Sequence, residues 1–444
     1  MAENSDIEQP KDDSDSSDAE RAAGPGSLIP IVGDVIGDTA YSERYVLKVL
    51  MKFANLDVFK KVIKQKAFDD ELVTLWEMSA EKDVVHFLLE HDALDLFGFA
   101  LPALEGDDLR IGEIVIGIIA NMCCEKEAVS ALMKNKHLFI ISMGYLKTDY
   151  TAAIIQALRM ISHCLYMTDE EERSLFMTMF EDFGYTEALC FILKNSSNKD
   201  LLITALENFN TLCEYLNIDS LRKDFFKQFV TPEVLESVST AFDEIMIKQR
   251  SLKKGSHSER DSLERILAIT LQIGLNLVWF DNTPRIYTEN RWSVVTMISQ
   301  ILSYYEHKIV NSKVFDTDLE HIFQSASMIL TTLNVSEISN PNKFFFPGYR
   351  IWKTLSPKNN KFGEPLSDHD ELKNVERSIY QLSEFLCIYM AQCTDDDFTD
   401  VINVIKDDYL PIVKATKKLE LREFIKSRVT EYKGNQHTER SLLF

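Results

Sequence analysis

The sequence predicts an all-α chain built as a stack of helical repeats, and three observations carry that reading. Three segments end in cysteine and place apolar or small residues at identical offsets: Gly112-Ile116-Ile119-Cys123, Ala153-Ala157-Met160-Cys164 and Leu202-Leu206-Phe209-Cys213. Steps of four, three and four draw a single stripe down an α-helix. The cysteines lie 41 and 49 residues apart, close to the ~40–47-residue period at which short helices stack into a solenoid. Glycine and proline are scarce, 15 and 11 of 444 residues, and no proline falls between Ala103 and Thr231, which leaves room for uninterrupted helices. The expected fold is an armadillo/HEAT-like α-solenoid, a right-handed superhelix of helical repeats with a disordered acidic tail at its N-terminus.

The tail comes first. The tail spans residues 1–36; Met1 to about Ser27 is polar, serine-rich and acidic, and Met1 to Ala40 holds ten acidic residues against two basic ones, so it supplies −8 of the net −22. Such a segment buries too little apolar surface to offset the entropy of ordering. Ser5 and Ser17 each have an acidic residue three positions on, a pattern that suits an acidophilic kinase. Residues 37–90 read as N-terminal capping helices. Ser42 is a plausible N-cap for the helix after it, and Leu72, Leu75, Trp76, Val84, Phe87 and Leu88 form the buried set of the next pair.

Residues 91–435 read as the repeats. Leu109 to Cys124 is the most apolar stretch and the expected inner helix of the first repeat. Thr168-Asp169-Glu170-Glu171 reads as a capping box opening a helix within the second. Ile266 to Trp279, Arg291 to His307, Leu319 to Asn334, Glu371 to Met390, Asp397 to Val413 and Leu419 to Tyr432 supply the later helices. Two interruptions are expected: a charged loop at 248–262 and an irregular, proline-bearing loop at 340–370. Residues 436–444 read as a C-terminal tail.

Composition narrows the function classes. Net charge of −22 over 444 residues repels phosphate backbones, so nucleic acid is an unlikely partner. Seven cysteines, an odd number, fit a reducing compartment better than a disulfide framework. No secretory signal is evident, and the run from Ile111 to Cys124 is shorter than the ~20 residues a membrane helix needs. The expected location is nuclear, cytoplasmic or both.

No motif for catalysis is present: no G-x-S-x-G, no glycine-rich phosphate loop, no H-E-x-x-H and no C-x-x-C. His163 beside Cys164 points about 100° away from it on a helix, so a catalytic dyad is not expected, and no metal or cofactor is called. The polar residues on inner helices matter more. Asn121, His163, Asn210 and Asn276 are the candidate partner-binding groove, because a carboxamide on an inner helix can grip a peptide backbone. The tryptophan that nuclear-import adaptors place one turn before such asparagines is missing here: Gly117, Leu206 and Gln272 stand at that offset.

Several stretches also resemble a known family. Gly37-Asp38-Thr39-Ala40-Tyr41-Ser42 is similar to the G-x-T-x-Y-S opening of the serum-amyloid-A-like protein family. Leu75-Trp76-Glu77-Met78-Ser79-Ala80-Glu81-Lys82-Asp83-Val84 resembles its W-[DE]-M-S-x-x-x-D-V segment. Asp92 to Phe97, Leu109-Arg110 and Gly117 to Met122 resemble its first repeat. The likeness is specific from about Gly37 to Cys164 and thins after Cys213. It implies an intracellular armadillo-like protein, often nuclear, linked to positive regulation of cell proliferation, with no enzymatic activity and no established ligand residues. The family is unrelated to the secreted acute-phase apolipoprotein.

The functional expectation is therefore a non-catalytic scaffold that binds protein segments, with basic character in the partner to match the acidic body. The alternative is an RNA-associated regulator of messenger-RNA fate that touches RNA through the basic run at Lys248 to Lys254 and the terminal helix.

Overall fold

The computed structural model describes residues 33–104, 108–168, 170–216, 225–251, 257–278, 283–312, 314–356 and 369–442. Helices dominate, and no strand forms among the described residues. The N-terminal helices are α1 (Glu43–Phe53), α2 (Leu56–Val62), α3 (Lys66–Met78), α4 (Lys82–Glu90) and α5 (Ala93–Ala100). The repeats follow with α6 (Leu109–Met122), α7 (Lys126–Lys134), α8 (Lys136–Gly144), α9 (Thr151–Met167), α10 (Glu170–Phe183), α11 (Tyr185–Asn195) and α12 (Lys199–Leu216). Then come α13 (Pro232–Ser251), α14 (His257–Val278), α15 (Thr283–Glu289), α16 (Arg291–Glu306), α17 (Leu319–Thr332), α18 (Val335–Ile338) and α19 (Phe345–Leu355). The chain closes with α20 (His369–Gln392), α21 (Asp395–Ile405), α22 (Tyr409–Ala415) and α23 (Leu419–Leu442).

Two rows organise these helices. In the inner row α3 packs on α6, α6 on α9, α9 on α12, α12 on α14, α14 on α17, α17 on α20 and α20 on α23. In the outer row α5 packs on α8, α11 on α13, α13 on α16 and α16 on α19. Each layer therefore touches mainly the one before and the one after, which is the defining property of a solenoid. The chain is an all-α, armadillo-like solenoid.

The cysteine stripes are its seam. Cys123, Cys164 and Cys213 are 1%, 0% and 2% exposed, and Ile116, Ile119, Ala157, Met160, Leu206 and Phe209 are fully buried. Sγ of Cys164 sits 3.6 Å from Sγ of Cys123 across the α6–α9 contact. Burying each large apolar side chain on this seam contributes about 1.5–3 kcal/mol, and no single repeat closes that surface alone. Two glycines let the row close up. A Cβ on Gly112 would overlap the Tyr145 ring, and one on Gly117 would overlap the Trp76 indole.

The N-terminal cap starts with Ser42, whose hydroxyl accepts from the Tyr45 N–H at 3.1 Å. Gly37 has φ +51, where its missing Cβ also leaves space for Asp83, and the Asp38 N–H donates to Asp83 Oδ2 at 2.9 Å. Phe53, Phe59, Phe68 and Phe97 form the aromatic cluster beneath it. No described helix is long and apolar enough to cross a membrane.

Several boundaries differ from the expectation. Of the acidic tail, residues 1–32 lie outside the described residues, while 33–36 join the cap: Ile36 is 3% exposed and Asp34 accepts from the Ser42 hydroxyl. The 248–262 segment is helical at both ends, in α13 as far as Ser251 and in α14 from His257, because lysine, arginine, glutamine and glutamate are good helix formers whatever their charge. Only 252–256 lie outside the described residues. The 340–370 stretch contains α19, with Pro347 in its first turn, where a missing N–H breaks no helical bond. The terminal helix runs to Leu442, so 436–442 is no separate tail. The Thr168 hydroxyl donates to the Cys164 carbonyl at 2.7 Å; the capping box expected at Thr168 to Glu171 includes residue 169, which lies outside the described residues.

Candidate protein-interaction surface

The four polar residues expected to line a groove divide into two groups. Asn121 and His163 lie between layers. Asn121 Nδ2 donates to the Trp76 carbonyl at 3.2 Å and the Ser79 hydroxyl at 3.1 Å, joining α6 to α3, and its Oδ1 accepts from Arg159 of α9 at 3.3 Å. His163 Nδ1 lies 2.7 Å from the Ala120 carbonyl. That acceptor requires the proton on Nδ1, and it ties α9 to α6. Burial holds the His163 pKa below its ordinary value, although the Ala120 carbonyl opposes this.

The next layer repeats the device with a residue the sequence reading passed over. Asn208 of α12 is fully buried. Its Nδ2 donates to the Leu158 carbonyl at 2.9 Å and the Ser162 hydroxyl at 2.7 Å, and its Oδ1 accepts from the Tyr185 hydroxyl. A carboxamide again bonds a backbone carbonyl and a serine hydroxyl of the preceding inner helix. Asn276 is 5% exposed, and its Nδ2 is buried without a hydrogen-bond partner. It meets Cys213 of α12. Three of the four candidates are therefore packed within the stack.

Asn210 alone faces a cleft. A cavity of about 450 Å³ opens across the inner row between the end of α9 and the start of α17. Glu207, Asn210 and Glu214 of α12, Glu264 and Arg265 of α14 and Asp318 line it, with Tyr166 of α9 at its rim. Tyr166 is 66% exposed. Four carboxylates thus face one arginine. Arg265 Nε pairs with Glu207 Oε1 at 3.1 Å, and Lys308 reaches Glu264 at 2.7 Å from behind. Asn210 Nδ2 donates to Glu214 at 2.8 Å, while its Oδ1 has no donor. Burial raises the Glu207 carboxyl above its ordinary pKa against the pull of Arg265, as expected for a carboxyl taken partly out of water. This arrangement attracts a cation and repels an anion.

A second cavity of about 620 Å³ lies at the C-terminal end of the same row, bordered by Thr331 of α17, Ile388, Ala391 and Gln392 of α20, and Leu419 and Phe424 of α23. Leu419 is 65% and Phe424 54% exposed, and Gln392 Oε1 is a buried acceptor with no donor.

Nucleophiles are poorly prepared. All seven cysteines are free. The hydrogen bond with the neighbouring Cys164 thiol, and then burial, push Cys123 well above its ordinary pKa, and burial does the same to Cys213. Cys124 is exposed and lies 3.5 Å from His163 Nδ1, but that nitrogen is already bonded to Ala120 and the thiol pKa is raised, not lowered. No group of three metal-ligating side chains occurs among the described residues.

No family model matches the chain. Among curated proteins it is similar to Protein SAAL1 of Homo sapiens, 28% identical over 184 residues, and to Protein SAAL1 of Mus musculus, 27% identical over 206 residues. The matched parts cover 38% and 43% of this chain and the same shares of those relatives, so well under half of either relative's length is matched. Solved structures with a related course include SYS-1, at 10% identity and TM-score 0.48 over 87% of this chain and 62% of that one. A designed armadillo repeat protein in complex with the peptide (KR)4 follows, at 11% identity and TM-score 0.41 over 65% of this chain and 98% of that one. The motifs that carry the family resemblance are also structural partners of one another: Gly37 closes on Asp83, Trp76 fills the space over Gly117, and Asn121 bonds Trp76 and Ser79. In these motifs and over these stretches, the chain is similar to the serum-amyloid-A-like proteins named Protein SAAL1.

Proposed function

We propose that this protein is a non-catalytic scaffold that holds a basic segment of a protein partner in the acidic cleft of its inner row, and that this binding serves growth control in the nucleus, the cytoplasm or both. The cleft carries the reading: Glu207, Glu214, Glu264 and Asp318 gather around a single arginine in a cavity of about 450 Å³. A lysine or arginine side chain entering there gains charge-assisted hydrogen bonds in a partly desolvated wall. The solenoid supplies rigidity on the N-terminal side of the cleft, where Asn121, His163 and Asn208 bond α6, α9 and α12 each to the layer before it, so little ordering cost falls on that part of the scaffold. Against catalysis stand the raised thiol pKa values and the commitment of His163 to Ala120.

The RNA reading has less support. Among the described residues, the cations in and just before α23 are largely occupied: Arg422 donates to the Thr416 and Lys414 carbonyls, Arg428 pairs with Asp395 at 2.7 Å, Lys426 with Glu423 at 2.8 Å and Lys418, the residue before the helix, with Glu384.

The test is affinity purification of the full chain from cells beside the double variant Glu214→Lys, Asp318→Lys, followed by a proliferation assay with both. The reading expects a defined set of partners to disappear with the variant, and growth to follow them. An unchanged partner set would sink it.

A further inference from the structure

Lysines gather at one corner of the N-terminal cap. Lys60 and Lys61 lie in the last turn of α2, Lys64 follows it, and Lys66 opens α3. All four are exposed, and none forms an ion pair among the described residues. No acid interrupts 58–68, and Asp69, just beyond, already faces Arg110 at 3.5 Å. No other stretch of seven described side chains holds four cations and no acid. Lys60 and Lys61 suit the negative end of the α2 dipole. Lys66 opposes the positive end of α3, where no side chain caps the helix, so an anion there is favoured twice over.

From the lysine corner and the charge of the chain leading into the same cap, we propose that the corner binds the chain's own segment 1–32. That segment holds eight acidic residues against two basic ones, a net of −6. Attachment puts it in the right place. It joins the described chain at Gly33, and the next residues are fastened to the cap: Asp34 accepts from the Ser42 hydroxyl and the Arg44 N–H, and the Asp38 N–H donates to Asp83. α2 packs on the far end of α1, with the Phe53 and Phe59 rings 5.1 Å apart. Length is sufficient too. The eleven residues of α1 measure about 17 Å, whereas the twelve residues between Glu20 and Gly33 span up to ~40 Å when extended. Charge then chooses between this segment and a separate polyanion. The rest of the chain carries −16, which a free polyanion must approach against repulsion, while a tethered one is already present at roughly millimolar effective concentration. Bound there, the segment shields the lysines from phosphate polymers. The proposal is independent of the cleft reading above.

The experiment treats the full chain, as an equal mixture of heavy-nitrogen-labelled and unlabelled protein, with a water-soluble carbodiimide, which links a carboxylate to an amine only where the two touch. The exposed pair Lys194–Glu236, 2.7 Å apart, reports that the reaction has run. Peptide mapping should find cross-links from Glu3 to Glu20 on Lys60, Lys61, Lys64 and Lys66, within chains of one label. Each of these lysines should carry at least about fivefold more of them than the exposed Lys134, Lys343 or Lys414, given the tether and the shared field. Cross-links spread evenly over exposed lysines, centred on Lys248 to Lys254, or joining chains of different label overturn the proposal. So does their absence when the Lys194 link is present. A second readout uses the variant Lys60→Gln, Lys61→Gln, Lys64→Gln, Lys66→Gln, whose exposed positions leave the fold in place. A segment at roughly 1 mM effective concentration, facing a site of ~0.1 mM affinity, is bound about nine-tenths of the time. Removing the lysines should therefore speed tryptic cleavage after Arg21 about tenfold. An equal rate in the two proteins overturns the proposal as well.

Discussion

Asn208 offers the sharpest test of how the layers hold together. Replacing it with alanine removes two donated bonds, to the Leu158 carbonyl and the Ser162 hydroxyl, and one accepted bond, from Tyr185. The Tyr185 hydroxyl is the costly loss. That side chain is 1% exposed, and an orphaned buried hydroxyl costs about 1–3 kcal/mol. The Leu158 carbonyl keeps its own helical donor, so losing the other two bonds adds only about 1 kcal/mol. The total is about 2–4 kcal/mol, concentrated at the α9–α12 contact. A long repeat array need not unfold in one step, so the assay is hydrogen exchange read by mass spectrometry on peptides from α9, α11 and α12. Exchange there should accelerate by roughly 30- to 700-fold, one decade for each ~1.4 kcal/mol, while peptides from α3 and α20 stay unchanged. Tyr185→Phe alone should cost about 1–2 kcal/mol by stranding Asn208 Oδ1. Added to Asn208→Ala, it should recover part of the loss, because the orphan hydroxyl is gone. Strictly additive costs, with a coupling below about 0.5 kcal/mol, would refute the reasoning.

Three further outcomes follow from the same contacts. Gly117→Ala should lower the melting temperature although alanine is the better helix former by ~1 kcal/mol, because its Cβ overlaps the Trp76 indole and overpacking costs about 1–3 kcal/mol; a melting point at or above wild type would contradict the close approach of α3 and α6. His163 has a folded pKa held below its unfolded value by burial, so the unfolded chain takes up the extra proton first. Stability should therefore fall as pH drops below about 6.5 and level off beneath the folded pKa. His163→Gln should flatten that part of the urea-midpoint curve between pH 7 and 5, and parallel curves for the two proteins would rule the group out. Iodoacetamide at pH 7.5 should label Cys124 in the native chain while Cys123, Cys164 and Cys213 react only after unfolding, which peptide mapping checks; early labelling of Cys164 would mean the seam opens far more readily than its burial implies.

The repeat was legible because its physics is periodic. Stripes with steps of four, three and four can only face one way on a helix, and a cysteine or alanine between bulky neighbours marks where two helices come closest. Ends and interruptions were less legible. The run around Lys248 to Arg265 was read as a loop from its charge, yet charge does not oppose helix formation; it only keeps one face in water. The prolines of 340–370 suggest an irregular loop, yet Pro347 sits in the one turn of α19 where no helical bond is lost. The shared motifs were recognisable as strings, but their reason is tertiary. Gly117 is small because Trp76, some forty positions earlier, lies over it, and no local pattern encodes that distance.

The candidate site shows the limit most clearly. Asn208 and Asn210 are two residues apart on one helix, so their side chains point about 200° apart. One enters the seam and the other the cleft. Knowing the helix but not the rotation of its seam is not enough to tell the two apart: Asn210 is a groove candidate in the sequence, and Asn208 is passed over. The rotation was in fact available: Leu206, Phe209 and Cys213 define the buried stripe, and Asn208 lies one position before Phe209, whereas Asn210 lies one position after. What remained hidden was on which side of that stripe the preceding helix approaches. The bond from Asn208 to Leu158 and Ser162 places α9 on one side, and the cleft with Arg265 and Ala268 of α14 opens on the other. Asn121 also reaches back, to α3 as Asn208 does to α9, while its oxygen accepts from Arg159 of the following layer. On α12, then, the asparagine that faces the preceding layer serves the stack, and the one that faces the following layer opens onto the cleft.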